Sequence, residues 1–231
     1  MLYLGVDLGG TNIKAALVDE NGEILQETGT PTNLPRSAEA VCDDIAVLCN
    51  QLTAGRDVAG IGVGCPGTVD GGTVLYSNNL DWHNFEMCSY LKAKTNLPVV
   101  VGNDANVAAL GEALVGCAKG AQSAVVVTLG TGVGGGVVLD GKILTGYTGA
   151  ASELGHMVIQ DMPGAPRCTC GRSGCFESLA SATALIRMTK EARRTHPESV
   201  LNTLAPAEED VTGRTAFDAA AQGDAAGREV V

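Results

Sequence analysis

Apolar residues come in short runs along the first third of the chain, and the turn residues between them predict strands. Residues 2–8 form a continuous run typical of a buried strand. The runs 13–18 and 23–28 follow, and Asn21-Gly22 between them is a strong signal for a tight hairpin. We therefore expect three consecutive strands joined by tight turns.

Apolar positions at helical spacing begin after Ser37. Val41, Ile45 and Leu48 would share one helix face, and Ser37 is a preferred N-cap residue. The same criteria predict the remaining elements. The predicted strands are 58–63, 97–101, 124–129, 135–139 and 142–144, and the predicted helices are 87–95, 105–115, 183–194 and 215–231.

One segment of the chain is repeated. Residues 8–19 align without a gap on residues 129–140, and each copy then passes a glycine and reaches an Ile-Leu pair. A strand–turn–strand–turn–strand unit that occurs twice predicts two related domains that face each other. The alternative is that any two glycine-rich hairpins look alike. We predict domains over residues 1–117 and 118–231. The second ends in a helical pattern without a stop signal, so we expect it to be truncated.

The charge balance narrows the class of function. Lys and Arg number 15 against 26 Asp and Glu, for a net charge of −11. An anionic surface repels nucleic-acid phosphates, so we expect no nucleic-acid partner. No apolar run approaches the ~20 residues of a membrane helix, and no basic segment marks a signal peptide. The expected location is the cytoplasm, without a membrane partner.

Two glycine-rich turns indicate phosphate binding. Backbone amides and a hydroxyl in such a turn can surround phosphate oxygens, and a nearby carboxylate can position Mg²⁺. The candidate residues are Asp7, Gly9, Gly10, Thr11 and Lys14 in the first copy and Thr131 and Gly132 in the second. A single Gly-Gly-Thr turn is also compatible with an ordinary hairpin. The pair of turns favours a site in which both close on one ATP molecule with its Mg²⁺.

Three of the eight cysteines lie close together in the sequence. Cys168, Cys170 and Cys175 fall within eight residues, and His156 precedes them. Three thiolates and one imidazole form a closed tetrahedral donor set for structural Zn²⁺. A redox-active cysteine cluster is the alternative.

Asn103 and Asp104 stand between the predicted strand 97–101 and the predicted helix 105–115. This pair is compatible with a helix cap, since both residue types are common there. It is also compatible with a carboxylate that faces a cleft and acts as a base. The residues alone leave both interpretations open.

Together these motifs resemble the ROK family of sugar kinases, repressors and open reading frames, and most closely its bacterial glucokinases. The resemblance extends to about residue 184. It rests on residues 129–136 with Gly146, Ala150, Gly155 and His156, on the Asp7 turn, on residues 64–67 and on residues 103–106. It implies an α/β, duplicated ribonuclease H-like fold, as in actin-like ATPases and sugar kinases, with a cleft between two domains.

The resemblance also implies an activity, the transfer of phosphate from MgATP to the 6-hydroxyl of a hexose, with glucose as the expected sugar. Asp104 corresponds to the general base. The implied sugar-binding residues are Asn78, Asn103, Asp104, Glu153, His156 and Glu177. His156 would use one ring nitrogen for zinc and the other for the sugar. The implied assembly is a homodimer or homotetramer.

The same motifs leave other functions open. One is a kinase for N-acetylmannosamine or N-acetylglucosamine, and another is a sugar-responsive repressor. Such repressors carry a winged-helix segment before the kinase-like part, whereas here the Asp7 turn stands at the start. A non-catalytic sugar-binding relic is disfavoured by the presence of Asp7 and Asp104. Because family members continue beyond residue 231, we expect this chain to bind sugar and zinc but to phosphorylate poorly.

Overall fold

The computed structural model describes residues 1–231, which form two compact units. The first unit comprises residues 1–126 and 136–152, and the second comprises residues 127–135 and 153–231. The domain boundary after residue 117 stays a prediction.

Eleven strands and eight α-helices make up the fold. The strands are β1 (Leu2–Leu8), β2 (Asn12–Asp19), β3 (Ile24–Pro31), β4 (Val58–Cys65), β5 (Thr68–Asp70), β6 (Thr73–Ser77), β7 (Trp82–Phe85), β8 (Val99–Asn103), β9 (Ser123–Leu129), β10 (Val133–Leu139) and β11 (Lys142–Ile143). The helices are α1 (Ala38–Thr53), α2 (Met87–Thr95), α3 (Asp104–Leu114), α4 (Phe176–Ala180), α5 (Ala182–Thr195), α6 (Leu201–Leu204), α7 (Thr215–Ala221) and α8 (Ala225–Val230). None of the helices has the length and apolar character needed to cross a membrane.

The first unit contains a five-stranded sheet in the order β3-β2-β1-β4-β8. The first three strands pair antiparallel, as the hairpin prediction requires, whereas β1, β4 and β8 run parallel. Asp7 lies opposite both Lys14 and Gly64, and Gly64 lies opposite Gly102. The carboxyl ends of the parallel strands therefore meet at one edge of the sheet, which is where open α/β sheets bind ligands.

One face of this sheet packs against α1. Leu4 and Leu8 of β1 are buried, whereas Tyr3 and Asp7 of the same strand are exposed, as the side-chain period of two requires. Ile45 of α1 is also fully buried. Complete burial of a side chain of this size contributes about 1.5–3 kcal/mol. This apolar layer fixes β1, and with it the turn that follows Leu8.

A small sheet of β5, β6 and β7 also belongs to the first unit, and the sequence patterns did not predict it. Its strands have three to five residues, too few for a periodic signal. Trp82 is buried and meets Phe85 edge-on, with ring centroids 5.5 Å apart. These rings give the short strands an apolar anchor.

The second unit is mainly helical. Ser181 caps α5 by accepting a hydrogen bond from the backbone N–H of Ala184 at 3.1 Å. The single helix predicted over residues 215–231 is wrong, because α7 and α8 are separate. Gly223 between them has φ +87°, a left-handed conformation that ends a helix, and Asp224 caps α8 through the N–H of Gly227 at 2.7 Å.

Candidate functional site

The turn between β1 and β2 contains the first set of predicted phosphate-binding residues. The N–H of Gly9 donates to the carbonyl oxygen of Asn12 at 2.9 Å and closes the turn. Gly10 and Thr11 are exposed at its tip. Thr32, which the sequence analysis missed, is buried and donates from its hydroxyl to the carbonyl of Gly9 at 2.7 Å. Both the N–H and the carbonyl of Gly9 are therefore hydrogen-bonded, which fixes the turn while its tip stays accessible.

Asn103 and Asp104 join β8 to α3 at the same sheet edge as Asp7. Asn103 caps α3 by accepting a hydrogen bond from the N–H of Asn106 at 3.0 Å. Asp104 is the first residue of the helix, and its Oδ1 accepts from the N–H of Ala105 at 2.8 Å. The cap and the candidate base are thus neighbouring residues, so the two interpretations of this pair are compatible.

The environment of Asp104 favours a proton acceptor. Burial raises the pKa of its carboxyl above the ordinary value, and the negative charge of Asp7 acts in the same direction. The hydrogen bond from Ala105 opposes this shift without reversing it. A carboxylate with a raised pKa holds a proton more readily than a solvated one, as general base catalysis requires.

Close packing holds this strand end in place. A Cβ atom added at Gly64 would lie 3.4 Å from the Cα of Asp104 and 2.9 Å from a methyl group of Val107. Glycine at position 64 therefore lets α3 approach β4 closely. A groove of about 920 Å³ opens beside this contact, and Asp7, Lys14 and Gly64 are among its lining residues.

Asn78, the other predicted sugar-binding residue of the first unit, lies just beyond β6. Its side chain is exposed, and its Oδ1 accepts a hydrogen bond from the hydroxyl of Tyr76 at 3.0 Å. The ring of Tyr76 stands 5.1 Å from that of His83. Tyr76 was not singled out from the sequence, because Asn78 lies in the turn after β6 and strand periodicity does not relate the two residues.

In the second unit, the turn of Gly130, Thr131 and Gly132 connects β9 to β10. The N–H of Gly130 donates to the carbonyl of Gly132 at 3.0 Å. Two bonds from the start of α5 hold the turn, from the N–H of Ala182 to Gly130 at 2.9 Å and from the Thr183 hydroxyl to Thr131 at 2.8 Å. We call residues 130–133 the second phosphate turn, after the role that the sequence predicts for Thr131 and Gly132.

The four predicted metal ligands also come together in the second unit. The ligand atoms of His156, Cys168, Cys170 and Cys175 all lie within 4.8 Å of one another. The Nδ1 of His156 is 3.5 Å from the Sγ of Cys168, and the Sγ atoms of Cys170 and Cys175 are 3.6 Å apart. We call these four residues the cysteine cluster. Their spacing and chemistry fit tetrahedral Zn²⁺, for which three thiolates and an imidazole are a common donor set.

The thiols of this cluster differ in acidity. Hydrogen bonds from the backbone and guanidinium of Arg172 lower the pKa of Cys170 to about 6. Burial raises the pKa of Cys175 to about 11. Metal ligation needs the thiolate form, so Cys170 is prepared to bind a cation at neutral pH, whereas Cys175 must lose its proton when the metal binds.

Two predicted sugar-binding acids of the second unit differ in their surroundings. Glu153 is exposed at the start of the short 3₁₀ turn Leu154–His156, and its side chain makes no capping bond. Glu177 is half-buried, and its Oε2 accepts a hydrogen bond from the N–H of Val133 at 3.0 Å. The structure therefore brings Glu177 to the second phosphate turn, a contact that no sequence spacing indicated.

The fold, the two glycine turns and the sheet-edge carboxylates define a protein of the actin-like ATPase and sugar kinase class. A sequence profile of the ROK family matches residues 3–231. The chain belongs to the ROK family.

Three relatives illustrate the range of that family. The chain is 40% identical to a glucokinase of Halalkalibacterium halodurans, over 99% of this chain and 71% of that protein. It is similar to the structure of a ROK family glucokinase from Streptomyces griseus in complex with glucose and AMPPNP. The TM-score is 0.84 and the identity 37%, and the match covers 100% of this chain and 74% of that one. It is also similar to a ROK family transcriptional regulator, a homolog of the E. coli MLC protein, with a TM-score of 0.85, 30% identity and coverage of 99% and 58%.

Proposed function

We propose that this protein transfers the γ-phosphoryl group of MgATP to the 6-hydroxyl of a hexose, with glucose as the sugar. The observation that carries the proposal is the half-buried Asp104, whose raised pKa suits a base and whose sheet edge also carries Asp7 and its glycine turn. The identity to a glucokinase over nearly the whole chain supports the same activity.

Asp104 acts as the general base. Its Oδ1 is held by the N–H of Ala105, and Oδ2 receives the proton of the sugar 6-hydroxyl. A bond then forms between the sugar oxygen and the γ-phosphorus, while the bond from that phosphorus to the bridging oxygen breaks and ADP leaves. Base catalysis of this kind contributes on the order of 10²–10⁴ in rate, and positioning supplies most of the remainder.

The two glycine turns hold the phosphates in this proposal. The amides of Gly9 and Gly10, the hydroxyl of Thr11 and the ammonium of Lys14 bind from the first turn, and Thr131 and Gly132 bind from the second. The exposed Asp7 carboxylate is a hard oxygen donor that fits Mg²⁺. Mg²⁺ held there with the nucleotide would neutralise phosphate charge during transfer.

In this proposal the sugar is held by hydrogen bonds from polar side chains. The proposed residues are Asn78, Asn103, Asp104, Glu153, His156 and Glu177. The Nδ1 of His156 faces the Sγ of Cys168, which leaves Nε2 for a sugar hydroxyl. The cysteine cluster would hold structural Zn²⁺, which fixes the orientation of this imidazole.

The proposal extends to the cellular location and the assembly of the protein. The use of MgATP and the eight free cysteines favour the cytoplasm as the location. We further propose a homodimer or homotetramer, which light scattering coupled to size-exclusion chromatography would measure.

An ADP-release assay over glucose, mannose, N-acetylglucosamine and N-acetylmannosamine tests the activity in the 231-residue chain. We expect slow ADP release that depends on glucose and is lost in Asp104→Asn. Release with an N-acetylated sugar alone would favour the hexosamine kinase alternative. Sugar binding without ADP release from any of the four would overturn the kinase proposal and favour the repressor alternative, to which the similar regulator structure points.

A further inference from the structure

One carboxylate of the second unit touches both the cysteine cluster and the second phosphate turn. Glu177 accepts a hydrogen bond at Oε2 from the N–H of Val133, 3.0 Å away. Its Oε1 accepts from the hydroxyl of Thr169 at 3.3 Å and lies 3.7 Å from the Sγ of Cys168. The side chain thus bridges two sites that are far apart in the sequence.

The fit between Glu177 and the turn is close. A Cβ atom added at Gly132 would clash with Oε2 of Glu177, so any other residue at position 132 would displace this carboxylate. Glu177 therefore occupies the space beside the turn that the missing side chain of Gly132 leaves free.

The other anchors of the turn come from the same short stretch of chain. Ala182 and Thr183 donate to the carbonyl oxygens of Gly130 and Thr131. This stretch begins at Cys175, which is both a cluster ligand and the N-cap residue of α4. Glu177 follows two residues later in the same helix. A shift of Cys175 would therefore move Glu177, and with it the bond to Val133.

We propose that Glu177 is a positioning residue that couples the cysteine cluster to nucleotide binding. By holding the N–H of Val133, it fixes the backbone of Thr131 and Gly132, whose amides face the phosphates in the proposed function, on which this inference rests. Metal in the cluster fixes the start of α4 and thus the position of Glu177. Loss of the metal then weakens ATP binding as well as sugar binding.

Two variants separate this role from a contact with the sugar. Glu177→Ala removes the acceptor for Val133, whereas Glu177→Gln keeps a carbonyl oxygen that can accept the same bond. We expect Glu177→Ala to raise the dissociation constant for ATP about tenfold, the usual effect of losing a hydrogen bond to a charged group. Glu177→Gln should raise it by less than about threefold. Glu191→Ala, an exposed acid on α5, is the matched control and should change nothing.

Isothermal titration with ATP, metal analysis and hydrogen exchange of residues 130–134 provide the readouts. Zinc removal from the wild type should weaken ATP binding and speed exchange in this peptide, and zinc removal from Glu177→Ala should add little further change. Unchanged ATP affinity in a folded, zinc-loaded Glu177→Ala, or an equal zinc effect in that variant, overturns the coupling alone. If the wild type binds no ATP at all, the proposed function fails, and the coupling with it.

Discussion

Asn103 donates a hydrogen bond from Nδ2 to the carbonyl oxygen of Gly67 at 3.0 Å. The bond ties the start of α3 to the turn that follows β4. The same side chain caps α3 through the N–H of Asn106. Asp104 is therefore the first residue of a helix whose start is held by two hydrogen bonds, which restricts where its carboxylate can point.

Replacement of Asn103 by Ala should destabilise the protein and lower its activity together. Loss of the cap alone costs about 1–2 kcal/mol in free energy of unfolding. Urea denaturation measures this, and initial rates report the displacement of Asp104. Asn103→Ser is the matched variant, because a hydroxyl can cap the helix but lacks the amide that reaches Gly67. It should recover most of the stability. Wild-type stability in Asn103→Ala would contradict the capping role.

Asp104→Asn should remove activity without loss of stability. The amide cannot accept the proton of the sugar hydroxyl, so we expect kcat to fall by about 10²–10⁴. Thermal melting at neutral pH should show a Tm at least as high as that of the wild type, since the variant no longer buries a charge. Near-normal turnover in Asp104→Asn would remove the assignment as base.

The stability difference between this variant and the wild type should also depend on pH. The pKa of Asp104 is raised in the folded protein, mainly by burial. The folded state therefore holds this proton to a higher pH than the unfolded state does, so Asp104 lowers wild-type stability as pH rises above the ordinary carboxyl pKa. The advantage of Asp104→Asn should increase from about pH 4 upward and become constant above the folded pKa. A difference that shrinks with rising pH would show that the pKa is lowered instead.

The sequence predicted most of the first unit because local signals determine its elements. The turn at Asn21-Gly22, the cap at Ser37 and the exact span of α2 all appear in the structure as predicted. Each depends on side chains next to one another in the chain. The strand expected at 97–101 instead spans Val99–Asn103, because its ends are set by pairing with β4 and not by its own apolar run.

The sequence predicted those parts of the candidate site whose residues are close together in the chain. It did not predict contacts between residues that only folding brings together. The spacing of Cys168, Cys170 and Cys175 was enough to predict the cysteine cluster. Thr32 supports the first glycine turn across the sheet, and nothing near it in sequence distinguishes it from other threonines. The bond between Glu177 and Val133 likewise joins residues 44 positions apart, so only the folded chain reveals it.

Glycine at position 174 should be required for the cysteine cluster. Gly174 has φ +72°, and a Cβ atom there would clash with the carbonyl oxygen of Gln160. Gly171 lies in the same loop with φ +90°, but a Cβ atom there would meet no neighbour within 4 Å. Gly171→Ala should therefore cost only the left-handed strain of about 1–2 kcal/mol, and Gly174→Ala should cost more and reduce bound zinc. Urea denaturation and metal analysis of the pair measure both effects, and equal losses would contradict the clash.

Protein purified without chelator should carry about one zinc ion per chain, since the four ligands of the cysteine cluster complete a tetrahedral site. Metal analysis measures this, and less than about half an equivalent would count against the site.

Cys175→Ser should lose the metal, because a serine hydroxyl is a poor zinc ligand and position 175 is fully buried. Cys117→Ser, an exposed thiol outside the cluster, is the control and should keep it. Chelation should then lower the Tm of the wild type and of Cys117→Ser but leave that of Cys175→Ser unchanged, because only a metal bound in the folded state stabilises it. An equal shift in all three proteins would mean that the chelator acts elsewhere.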